Sequence, residues 1–177
     1  MASIGHAAVG LALGRYEAGD GSTRRRLASM VFFAALALLP DADVVAFVFR
    51  IPYSAPWGHR GASHSFVFAA GVALVVALAA KWASAPPLRW GALAFLAVAS
   101  HGLLDSLTDG GLGAALLWPF SNARLFAPVQ PLPVSPIGAG MLSPRGMYVV
   151  GVELLAFIPF WAYALWPRKS ATRHRTP

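Results

Sequence analysis

The chain has 177 residues, of which 57% are hydrophobic and only 12% charged, with a formal charge of +7 and no cysteine. A soluble domain usually carries about twice that charge, and the length leaves room for one domain. Disulfides and thiolate ligands are excluded, and the cations sit in loops and at the tail rather than along an amphipathic face, so a polytopic membrane protein is expected and a nucleic-acid partner is not.

Residues 2–14 form a short apolar helix containing His6. About twelve residues give roughly 18 Å of helix, too short to cross a hydrocarbon core of about 30 Å. No basic segment precedes this stretch and no small-residue cleavage site follows it, so no signal peptide is expected. Residues 15–26 read as a polar loop. A second helix begins at Leu27, is interrupted by Pro40 and resumes through Phe49. It carries Asp41 and Asp43 into apolar sequence of spanning length, where carboxylates are costly unless paired, bound to metal or in a water-filled cavity.

Residues 50–63 are a loop containing His59 and Arg60, and the third helix runs from His64 to Ala83. Pro86-Pro87 forces a turn, and the fourth helix covers Leu88 to Leu107. Residues 109–145, rich in Gly and Pro, read as an irregular apolar-faced segment lying over one end of the bundle, with a short helix at 111–118. A last span, Met147 to Trp166, carries Glu153. The expected fold is all-α: a polytopic membrane helix bundle of four longer helices plus the short N-terminal one. Residues 1–167 would form a single membrane-embedded domain and 168–177 a basic cytoplasmic tail.

Arg15, Arg24, Arg25, Arg26, Lys81 and Arg89, with four cations of the tail, fall on one side of this arrangement, and Arg50, Arg60, Arg124 and Arg145 on the other. Ten against four places the first side in the cytoplasm. The candidate ligands then converge in depth. Asp41, His101 and Asp105 lie roughly 17–22 Å from the cytoplasmic helix ends, while His64 heads the third helix from the outer side.

Four of the five His fall in a few short clusters with acids, at His6, Asp41–Asp43, His59–His64 and His101–Asp109. On a helix, His101 and Asp105 are four apart and leave the same face, which lets one helix offer a nitrogen and an oxygen to one cation. The metal ligands expected are His6, Asp41, Asp43, His59, His64, His101 and Asp105. They would hold one or two divalent ions, zinc first and manganese as the alternative. Two metals sharing a bridging carboxylate can activate water and clamp both oxygens of a phosphoester. Arg60 and Asp43 are the expected catalytic residues, Arg60 steadying phosphate charge. Ser65, Ser100 and Thr108 are expected as supporting donors.

Ordinary readings stand beside these. A lone His-x-x-x-Asp is often a hydrogen-bonded pair, Asp41 and Asp43 can cap the helix after Pro40, and a loop His such as His59 is commonly at the surface. Glu153 would pair with Arg60 or Arg145, Asp109 would cap the Gly110-Gly111 turn, and His174 in the tail would be solvated.

Leu39-Pro40-Asp41-Ala42-Asp43, His59-Arg60-Gly61 followed by Ser63-His64-Ser65, and Ser100-His101-Gly102-Leu103-Leu104-Asp105 carry a resemblance, with His6, Thr108-Asp109-Gly110-Gly111 and Leu117-Trp118-Pro119-Phe120-Ser121 extending it. The sequence resembles the YdjM-like family of membrane-bound metal-dependent hydrolases, some of whose members are LexA-regulated inner-membrane proteins. A more distant likeness is to zinc-dependent phospholipase C, in which an early His, an Asp, a His and a His-x-x-x-Asp build a metal cluster. This chain lacks the later His and the second His-x-x-x-acid pair of that pattern, so a third metal is not expected. The resemblance implies a multi-pass protein of the bacterial inner membrane that hydrolyses a phosphoester, a lipid among the candidates, at the outer leaflet with metal-activated water. The alternative is a non-enzymatic membrane protein whose polar cluster holds a structural metal or conducts an ion. The lipid bilayer is the partner expected in either case.

Overall fold

Local sequence punctuation sets most of the helix boundaries. In the computed structural model, which describes Met1 and residues 3–167, helix α1 spans Ser3–Ala18, α2 Thr23–Leu38, α3 Phe66–Trp82, α4 Pro87–Ser106, α5 Pro144–Ala156 and α6 Ile158–Leu165. Among the described residues there is no strand. Ser22, Ser65 and Ser143 each cap a helix, their side chains accepting from the backbone N–H of Arg25, Phe68 and Gly146. Pro87 and Pro144 sit in the first turn of α4 and α5, where a missing N–H costs nothing.

The short N-terminal helix is longer than expected. Residues 15–18 are helical rather than part of a polar loop, because their charges are satisfied inside the bundle. Arg15 donates to Ala164 O (2.9 Å), and Glu17 accepts from Ser29 Oγ (2.5 Å) and Arg25 Nη2 (3.0 Å). After Pro40 the second helix does not resume as α-helix but tightens into 3-10 turns over Leu39–Phe47. The last span is broken. Pro159 lacks the N–H that would continue the ladder, and α5 and α6 meet at a bend of 66°. Residues 111–118 form bends, a bridge and a turn instead of a short helix. Thr23–Phe47 is long and apolar enough to cross a membrane, and the bent pair α5–α6 is a second such stretch if it counts as one span. Of the four longer helices expected in a polytopic bundle, the described residues give one or two clear spans, with α3 apolar but only 17 residues long. The tail 168–177, with His174, lies outside the described residues.

Helices α1 to α4 alternate in direction. Gly10 and Gly14 let α1 touch α2 backbone to backbone: a Cβ at either would collide with the main chain of Phe33–Ala34 or Ser29–Met30. Phe33, Ala37, Val76, Leu93, Ala94 and Ala97 fill the space between α2, α3 and α4. At one pole Arg89 at the start of α4 donates to Tyr16 O and Glu17 O at the end of α1. Alternation then delivers the start of α1, the end of α2, the start of α3 and the end of α4 to the other pole. Those ends carry His6, Asp41, His64 and His101.

Candidate metal centre

Helix α4 places His101 and Asp105 one turn apart on its buried face, as their spacing requires, with Nε2 3.7 Å from Asp105 Oδ2. The 3-10 turns after α2 bring Asp41 Oδ1 to 3.3 Å from His101 Nε2 and 4.0 Å from His64 Nε2. His64, in a 3-10 turn ahead of α3, approaches Asp105 Oδ2 at 3.2 Å. One ligand atom from each of Asp41, His64, His101 and Asp105 thus lies within 4.8 Å of the others. Ligand atoms at zinc–nitrogen distance in a tetrahedron are about 3.3 Å apart. The cluster approaches that spacing and would close on an ion with small side-chain movements.

The tautomers point the same way. Nδ1 of His101 is 2.6 Å from Ala37 O, which can only accept, so Nδ1 carries the proton and Nε2 keeps its lone pair. Nδ1 of His64 faces Asp43 Oδ2 (3.2 Å) and Ser63 Oγ (2.9 Å), and the Ser63 hydroxyl is itself donated to Asp43 Oδ2 (2.6 Å). His64 is therefore also an Nδ1–H tautomer. Both Nε2 atoms are buried, have no hydrogen-bond partner and face two carboxylates. A buried acceptor is not left unpaired without cost, and a divalent cation between the four groups would satisfy both.

The other expected ligands sit around this group rather than in it. His6 is fully buried and stacks on the His101 ring (3.6 Å between centroids); neither of its nitrogens has a hydrogen-bond partner, and Nε2 is 3.6 Å from Asp105 Oδ1. Asp105 thus turns Oδ2 to His64 and His101 and Oδ1 to His6 and the Met1 amino group (2.8 Å). His59 and Asp43 form a pair of their own, Nδ1 to Oδ1 at 2.6 Å. Both Asp43 oxygens are engaged, Oδ2 also accepting from Arg60 N (3.0 Å), so Asp43 orients His59 and His64 rather than facing the ion.

The Arg60 guanidinium is likewise committed. It grips Asp105 through Nε (3.2 Å to Oδ2) and Nη2 (3.3 Å to Oδ1), and Nη1 donates to Thr108 Oγ1 and Gly110 O. Of the three expected supporting hydroxyls, Thr108 touches the cluster only through Arg60, accepting from Nη1 (3.0 Å) while it bonds back to the Asp105 main-chain carbonyl (2.8 Å). Ser65 caps α3, and Ser100 bonds back to Ala97 O. Glu153 pairs with neither expected arginine. Its Oε2 accepts from Gly5 N at the start of α1, while Arg60 is held as above and Arg145 lies over the Tyr148 ring. Asp109 holds Val134 N (2.6 Å) rather than its own glycine turn.

Three contributors were not singled out from the sequence. Ser63 is one, next to His64 but on the Asp43 side. Gly102 is another, since a Cβ there would run into His64 O and reach Leu116 Cδ2 at 2.9 Å. The third is Tyr53, which packs against His59 with ring centroids 5.2 Å apart and whose phenol is pushed up by burial. An aromatic in the loop before His59 was the available signal. The cluster opens through Asp41, the least buried of the four ligands, into a cavity of about 560 Å³ that His59, Arg60 and Tyr53 also line.

The model of the YdjM inner membrane protein family matches residues 1–171. Over 156 residues, 86% of this chain and 87% of the relative, the sequence is 41% identical to inner membrane protein YbcI of Escherichia coli (strain K12). No solved structure matches.

Proposed function

Because the chain belongs to the YdjM inner membrane protein family, we propose that it works in the bacterial inner membrane as a metal-dependent phosphoester hydrolase, with its site toward the outer face. One observation carries this reading: the two buried imidazoles whose Nδ1 atoms are tied off and whose free Nε2 atoms meet Asp41 and Asp105. Two nitrogens and two carboxylate oxygens are a donor set that suits zinc, with manganese second. Asp41, His64, His101 and Asp105 would hold the first ion; His6, whose two nitrogens have no hydrogen-bond partner, is the group left beside them for a second. When bound, a divalent ion supplies Lewis acidity and brings the pKa of water toward neutrality.

The chain's own residues supply the rest. Arg60, itself held by Thr108, grips both oxygens of Asp105, so the carboxylate presents them to different sides. His59, oriented by Asp43 and set on the cavity wall, is placed to take or give the proton as the water oxygen bonds to phosphorus and the ester P–O bond breaks. Asp43 acts through His59 and His64, as a positioning residue. Asp41, the most accessible ligand, marks the side from which the phosphoester arrives.

The test is metal content and turnover of a chromogenic phosphodiester by the detergent-purified protein and by His101→Ala. About one or two equivalents of metal and metal-dependent turnover, both lost in the variant, are expected. Metal without turnover would leave a structural ion as the role of the cluster, and absence of metal from a folded protein would remove the reading altogether.

A further inference from the structure

The cavity beside the cluster has a lining of two unlike parts. Asp41, Tyr53, His59 and Arg60 give the polar part of the lining; Val44, beside Asp41 on the same 3-10 turns, and Val134, Ile137 and Met141 on the 134–141 loop give the apolar part. The apolar part is built in advance rather than collapsed. Val134 N is pinned by Asp109 Oδ1 (2.6 Å), Leu132 N bonds Leu107 O, and Ser135 Oγ reaches Pro136 O and Met141 Sδ, closing the 135–141 loop on itself. Ile137, part of the lining, is 54% exposed and gives the rim an apolar face. In water such a rim would be an unfavourable surface; in an inner membrane protein it is a surface that lipid covers.

A soluble phosphoester would use only the polar part. About 560 Å³ is a usual size for a small-molecule site. It accommodates a phosphorylated headgroup and the first carbons of a chain while leaving the remainder of the chain outside, past the exposed Ile137 of the rim. We infer that the cavity takes a membrane-resident phosphoester, phosphate against Asp41, His59 and the cluster, and the start of its hydrocarbon chain along Val44, Val134, Ile137 and Met141. The identity of the headgroup rests on the hydrolase reading; the site for the chain rests on the cavity.

The probe is a phosphatidic acid with a diazirine near the carboxyl end of one chain, compared with the matching diacylglycerol that lacks phosphate, in nanodiscs holding the full chain loaded with zinc. Labelling is mapped by mass spectrometry. The phosphate-bearing probe is expected to label Ile137 or Met141 about ten-fold over the phosphate-free one, and Ile137→Arg is expected to abolish that selectivity. Unlabelled short-chain phosphatidic acid should compete at least about ten-fold better than glycerol 3-phosphate, since two or three buried methylenes supply that factor. Equal labelling by both probes would identify a merely greasy surface and overturn the inference. Equal competition by glycerol 3-phosphate would assign the cavity to a soluble phosphoester and overturn it as well. Turnover of the soluble phosphodiester in the same preparation separates the two readings. Turnover without selective labelling sinks this inference alone, and selective labelling without turnover sinks the hydrolase reading alone.

Discussion

A histidine serves as a ligand through one nitrogen when the other is fixed, and His64 and His101 are fixed differently. His101 gives Nδ1–H to the Ala37 carbonyl, which no side-chain substitution removes, whereas His64 relies on Asp43 and Ser63. Asp43→Asn should therefore weaken metal binding by about 10–100-fold through His64 without abolishing it, the usual effect of losing such a supporting group; a competition titration with a chelator reads this. Asp105→Asn should cost most of the bound metal. Asp109→Asn should leave metal content nearly intact, because the Asp109 carboxylate holds Val134 N rather than a group of the cluster. Equal loss in both variants would place Asp109 in the site. The four clustered ligands were legible from the scarcity of His and acid and from the His101–Asp105 spacing. The division of labour between Asp41 and Asp43 was not. On 3-10 turns each residue rotates the side chain by about 120°, so acids two apart point in different directions, and only the fold shows which joins the cluster.

At the scale of the element, glycines carry information that motif reading passes over. Gly102 lies between the two ligands of α4, and its missing Cβ is what lets the His64 main chain lie against that helix. Gly102→Ala should cost about 1–3 kcal/mol by overpacking and lower metal content, because the displaced segment carries His64. Gly151 in α5 has open space where a Cβ would go. Gly151→Ala should therefore be neutral or stabilising by up to about 1 kcal/mol, with metal unchanged. Thermal unfolding and metal analysis of both variants check the pair; destabilisation of the Gly151 variant would show that α5 packs more tightly than described. The Pro86-Pro87 turn put the start of α4 within one residue, but the serine caps at Ser22 and Ser143 start α2 and α5 at Thr23 and Pro144, ahead of the expected Leu27 and Met147, because apolar runs and not caps set those expectations. The break at Phe157 was also available, in Pro159, but the uniformly apolar run around it reads as one span. Hydropathy reports greasiness and not the lost N–H.

Across the whole molecule the cations of the helix ends gather at the pole opposite the cluster, and the proposed orientation rests on that polarity. Arg24, Arg25 and Arg26 open α2, Lys81 ends α3 and Arg89 opens α4, all at the ends away from the cluster. Arg15 reaches Ala164 O, so α6 also finishes at the cationic pole. Val134, in contrast, lines the cavity beside Asp41. Positive ends stay in the cytoplasm because moving them across the membrane is opposed. A reporter fused behind Pro167 should therefore be active in the cytoplasm, as should one placed in the Gly19–Gly21 turn. A tag inserted next to Val134 should be accessible from outside in intact spheroplasts. The bend between α5 and α6 makes the first of these the most informative: a broken pair that turns back instead of crossing would send its end out on the cluster side. The Arg15–Ala164 contact argues against that return, since it joins the end of α6 to the end of α1, remote from His6. A periplasmic signal from the Pro167 fusion would mean that α5–α6 is re-entrant or that the bundle is inverted. Cytoplasmic accessibility of the Val134 tag would tell those apart, because only inversion moves the cavity to the inner face.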